Sequence, residues 1–71
     1  MVDIWEYYGR GSVKIRLTDT DGRTYVGTVE NIEDAEENEE NEDGIVISEN
    51  GNLIFFRASE VSNIAEEDNT N

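Results

Sequence analysis

Apolar and polar residues alternate along "SVKIRLT", with Val13, Ile15 and Leu17 on one face and Lys14, Arg16 and Thr18 on the other. That is the period of a strand with one buried side. The turn cluster "DTDG" follows, with Gly22 suited to positive φ and aspartates that can cap local backbone groups. A second strand is predicted over "RTYVGTVENI", and Gly27 inside it marks a bend or bulge. "GIVISE" and "NLIFFRA" then flank Asn50-Gly51, a pair that favours the type I′ turn of a hairpin. Residues 53–56 are apolar at every position, so Leu53 and Phe55 seek cover on one face and Ile54 and Phe56 on the other. A short turn at Ala58 and Ser59 leads to the last strand, "EVSNIA", with Val61 inward and Ile64 extending the apolar set. Ahead of the strands, Asp3 and Glu6 have the spacing of a capping box. Ile4, Trp5 and Tyr8 share one side of a short helix that Gly9 closes. The pattern predicts an all-β chain of five strands with a short N-terminal helix.

Length makes such a fold thin. A chain of 71 residues buries only about 60% of its unfolded surface, so stability on its own is marginal. With no Cys and no His, disulfides, zinc sites and Ser-His or Cys-His nucleophiles are excluded. Self-association remains as a way to add core without adding chain. The first residues contain Asp3 and Glu6 and no long apolar run, so neither a signal peptide nor a membrane partner is predicted. Together with the lack of cysteine, this points to the cytoplasm. Residues 1–65 read as one domain with an acidic loop at 33–43, and 66–71, "EEDNTN", as a disordered acidic tail.

The net charge is −13. Eight carboxylates at 33–43 and three in the tail account for 11 of it, leaving −2 for the rest. A nearly neutral body does not forbid a local basic site. Lys14, Arg16 and Arg23 read either as a phosphate track or, more simply, as solvent-facing charge on a half-buried sheet. Within the loop, Glu39, Asn41 and Asp43 alternate before Gly44 as oxygen ligands do in an EF-hand. The register then fails, because the closing ligand falls on Asn50 and a strand follows where a helix should. The reading is therefore no specific metal site and no cofactor, with a solvated loop or diffuse cation attraction in its place. Trp5, Tyr7 and Tyr8 could stack bases, but at helical spacing Trp5 and Tyr8 suit the covering of an open barrel end. Catalysis has no constellation behind it, since an acid catalyst needs a carboxyl raised by an apolar pocket, and no enzyme is predicted.

"GSVKIRLTDTDGRTYVGTV" resembles the first motif of the Sm-like family, in which alternating apolar residues lead to Asp-Gly-Arg and then to a glycine, here Gly27. "FRASEVSNI" resembles the second motif, with Arg57 as the family arginine and Ala58 in the place of glycine. "IWEYYGRGSVKIRL" is similar to the start of small bacterial Sm-like proteins. The resemblance implies a strongly bent, five-stranded open small β-barrel, joined edge to edge through its fourth and fifth strands. The product would be a homo-oligomeric ring of roughly five to seven subunits. Leu53, Ile54, Phe55, Phe56, Val61 and Ile64 are the interface candidates, since an exposed apolar edge needs a partner. It further implies RNA, and not DNA, as a ligand, held by Arg57 with Asn38. The family's Asp-x-x-Met-Asn is matched by "EDAEEN", with Asn38 one place late and Glu37 in the asparagine's slot. The alternative is an oligomeric protein-interaction module without RNA binding, whose acidic loops attract cations or partner proteins.

Overall fold

A computed structural model describes residues 2–67. Strands β1 (Lys14–Asp19), β2 (Thr24–Glu33), β3 (Gly44–Glu49), β4 (Asn52–Arg57) and β5 (Val61–Glu66) form one sheet. Their order is β4-β3-β2-β1-β5, and every neighbouring pair is antiparallel. Among the described residues no ladder joins β4 to β5, so the sheet is open and these strands are its edges. The predicted all-β class is thus the architecture found.

One face of the sheet carries the core. Ile15 and Leu17 of β1, Val29 and Ile32 of β2, Ile45 and Ile47 of β3, Phe56 and Val61 are buried together. Strand alternation alone does not produce this set, because Val29 and Ile32 are three residues apart and should face opposite ways. The ladder explains it: Val29 pairs with Ile47 and Asn31 with Val46, so Glu30 is an extra residue in β2. That bulge inverts the parity and returns Ile32 to the core. A second irregularity, between Thr18 and Asp19 in the β1–β5 ladder, lets Val61 and Ile64 both turn inward.

Gly27 was expected to mark a bend or bulge, and the bulge lies three residues further on, at Glu30. Gly27 itself pairs regularly with Ile15, while a Cβ at this position would run into the Ser48 carbonyl oxygen. Glycine here permits the close approach of β3. The hairpin turn follows the sequence expectation, with positive φ at both Asn50 and Gly51 and the last rung at Glu49–Asn52. In the β1–β2 turn, Gly22 has positive φ. The Asp19 Oδ1 accepts from the backbone N–H of Asp21 and of Arg23, both at 2.9 Å.

The N-terminal helix is a single 3₁₀ turn, Ile4–Tyr7, with the Asp3 side chain accepting from the Trp5 N–H at 3.0 Å. Residues i and i+3 eclipse in a 3₁₀ turn, so Ile4 and Tyr7 enter the core together. This corrects the expected shared side of Ile4, Trp5 and Tyr8. Tyr8 is 63% and Trp5 38% exposed, and their rings lie against each other with centroids 5.4 Å apart. The Ala58-Ser59 turn is also a 3₁₀ turn, Ala58–Glu60. Of the expected tail, Glu66 ends β5, and the Glu67 N–H donates to the Lys14 carbonyl at 2.8 Å. The remaining residues of 66–71 lie outside those described. Among the described residues no helix is long and apolar enough to cross a membrane.

Candidate functional site

The acidic connection between β2 and β3 is held in place. It begins with a 3₁₀ turn, Ala35–Glu37, in which Asp34 Oδ1 accepts from the Glu36 N–H at 3.0 Å. Asn38 then ties the loop to itself. Its Nδ2 donates to the carbonyls of Asp34 and Glu42 at 3.1 and 2.9 Å, and its Oδ1 accepts from the Glu40 N–H at 2.8 Å. Asp43 anchors the loop's far end, with Oδ1 accepting from the Ala35 N–H and Oδ2 from the Trp5 indole N–H, each at 2.9 Å. Glu42 reaches the β4–β5 connection, where its carboxylate accepts from the Ser59 N–H at 2.7 Å and hydroxyl at 3.0 Å. The Ala58 N–H donates to the Asp43 carbonyl at 2.8 Å. Asp34, Glu36, Glu39, Glu40 and Asn41 of this loop are exposed, and the loop is also bonded to the N-terminal turn at one side and to the β4–β5 turn at the other.

Arg57 lies beside this loop. Its backbone N–H donates to Glu60 Oε1 at 2.9 Å and its guanidinium to Glu60 Oε2 at 3.3 Å. These bonds hold the Glu60 carboxyl below its ordinary value, the guanidinium contributing most and the backbone N–H next. The same partner raises Arg57, with Glu40 and Glu42 adding negative potential. Other bases are engaged likewise. Arg16 forms a forked pair with Glu67 at 3.1 and 3.2 Å. Arg10 pairs with Glu66 at 2.8 Å and sits over the Tyr7 ring. Burial raises the Tyr7 hydroxyl, and Glu6 and Glu66 raise it further.

The three metal candidates do not converge. Both oxygens of Asp43 face N–H donors, Asn41 sits in the left-handed region at φ 58°, and among the described residues no group of three acids could hold an ion. The six interface candidates divide by burial. Phe56 and Val61 are core side chains, 7% and 5% exposed, whereas Leu53 is 69% exposed. Ile54 and Ile64 pack against the core with part of their surface open. Phe55 pairs with Val46 and lies on the outer face, its ring resting where a Cβ on Gly44 would stand.

Around Phe55 the outer face forms a cleft of about 420 Å³ lined by Glu33, Asn38, Glu39, Glu40, Val46 and Phe55. Asn38 thus meets Phe55 across a cleft whose mouth is acidic. A second depression of about 420 Å³ lies at the β2 bulge, between Tyr7, Tyr8 and Glu30. Sequence reasoning missed Glu42, Ser59 and Glu60. Only Glu60 had a local signal, the i, i+3 spacing of a glutamate reaching back to the residue before a helical turn.

No family model matches the chain, and neither does any curated protein or solved structure. The fold and the site define a small antiparallel β domain with an ordered, acid-rimmed outer cleft.

Proposed function

We propose that this chain is a non-enzymatic, Sm-like open β-barrel that joins copies of itself through its β4 and β5 edges and serves as a binding or scaffolding module for proteins. The resemblance in "DTDGRTYVG" and "FRASEVSNI" supports the barrel and ring, and so do the two unpaired edges of the sheet. RNA is the ligand class that the resemblance implies. The observation that turns the reading towards protein partners is Arg57, paired with Glu60 and facing the negative potential of Glu40 and Glu42. Phosphate binding needs bases that can exchange their counterions for the backbone. Here Arg10, Arg16 and Arg57 already pair with carboxylates of the same chain. Asn38 spends its amide on three backbone bonds. A chain with no Cys and no His supports both a non-catalytic role and a cytoplasmic one.

Light scattering of the purified protein, combined with titration of labelled A-rich and U-rich oligonucleotides at low salt, tests this. We expect an oligomer mass and no RNA binding. RNA binding that weakens with salt and is lost in Arg57→Ala would restore the RNA reading, and a monomer mass at micromolar concentration would remove the ring.

A further inference from the structure

The outer cleft at Phe55 differs from the rest of the acidic surface because its floor is apolar. Val46 and Phe55 are direct cross-strand partners on the face opposite the core, and neither is fully covered. Two residues earlier in β4, on the same face, Leu53 stands 69% exposed. An apolar strip therefore runs along the outer face from an open leucine to the Phe55 cleft of about 420 Å³. Its rim carries Glu33, Glu39 and Glu40 and no base. Glu33 stands at the end of β2, and the loop that supplies Glu39 and Glu40 is fixed by Asn38 and Asp43, so the rim rests on an ordered support.

We propose that this cleft is a docking site for a basic, amphipathic segment of a partner protein, an extended stretch in which an apolar residue seats on Phe55 and Val46 while neighbouring Lys or Arg side chains meet Glu33, Glu39 and Glu40. The proposal rests on the reading of this protein as a protein-interaction module and names the chemistry of its partner. Charge complementarity selects the occupant. A second copy would bring another −13 to an acidic rim, with Arg10, Arg16 and Arg57 already paired internally. A phosphate backbone would be repelled by the same rim. The apolar floor distinguishes the site from diffuse attraction of cations, because a simple cation gains nothing from Phe55 whereas a leucine or valine beside a lysine does.

The test uses the full chain and three labelled peptides of equal length at low salt: one alternating Lys and Leu, one alternating Lys and Ser, and one alternating Glu and Leu. The Lys/Leu peptide should bind most tightly, and Phe55→Ala should weaken it at least about tenfold, as expected for loss of a central aromatic contact. Should Phe55→Ala fail to fold, the double charge reversal Glu39→Lys, Glu40→Lys decides, since both side chains are exposed. It should abolish binding of the Lys/Leu peptide. Equal binding of the Lys/Leu and Lys/Ser peptides, insensitivity to both variants, or no binding at all would overturn the cleft assignment. Light scattering on the same samples separates the two readings. An oligomer that fails to bind the peptide removes the docking site alone, whereas an RNA-binding chain or a monomer removes the module reading beneath it.

Discussion

Asp43 takes two N–H donors from different parts of the chain, the Ala35 amide and the Trp5 indole. Alanine at this position leaves both without their acceptor and should cost about 1–2 kcal/mol, read from urea denaturation. Trp5 fluorescence should change with it. Glu39→Ala removes an acid of the same loop that makes no such bond, and should stay within about 0.5 kcal/mol of the parent. If the two substitutions cost the same, the loop is not held through Asp43. Glu60 shows the same logic through pH. Arg57 holds its carboxyl below the ordinary 4.5, so the folded chain binds this proton less tightly than the unfolded one. The stabilisation is complete above the ordinary value and is lost as pH falls through the lowered one. Glu60→Gln should therefore unfold at lower urea than the parent at neutral pH, and the gap should close in acid. The group is about two-fifths open to solvent, which screens the pair, so the gap is small. A gap that widened in acid would contradict the pairing.

The elements show which patterns carry information. Asn50-Gly51 was readable as a type I′ turn because both residues must adopt positive φ, and they do. Gly51→Ala should cost about 1–2 kcal/mol in thermal or urea unfolding, the penalty of a left-handed non-glycine residue. Gly27→Ala should cost more, because its Cβ meets the Ser48 carbonyl of β3, and so should Gly44→Ala, whose Cβ meets the Phe56 carbonyl of β4 as well as the Phe55 ring. A loss at position 27 or 44 no larger than at 51 would count against that ranking. All five strands were legible from alternation and turn residues. Gly27 suggests a bend or bulge in β2, but the bulge sits at Glu30, and its mark in the sequence is the three-residue spacing of Val29 and Ile32. The 3.6-residue period of an α-helix puts Ile4, Trp5 and Tyr8 on one side, whereas the four-residue 3₁₀ turn that forms buries Ile4 and Tyr7. The loop's order was hidden for a different reason. Its acids were read as charge, but Asp43 and Glu42 act as hydrogen-bond acceptors for residues 38 and 17 positions away, and no local pattern announces such partners.

Whole-molecule behaviour turns on two opposed facts. The open edges favour association, and a charge of −13 per chain opposes it. Salt decides between them, since the screening length falls from about 10 Å at 0.1 M to about 3 Å at 1 M. Backbone ladders and apolar contacts lose little to screening, while repulsion between acidic copies loses most of its reach. The proposed assembly through β4 and β5 should therefore strengthen as salt rises. Sedimentation or light scattering near the dissociation concentration should show a larger mean mass at high salt than at low. The melting temperature should rise in parallel, because the repulsion within each chain, where five bases face 18 acids, is screened as well. Binding of a basic segment at the Phe55 cleft should move the opposite way and weaken with salt, so one salt series separates the two surfaces. Dissociation of the oligomer on adding salt would mean that ion pairs hold it together, and the edge strands would then not be its basis.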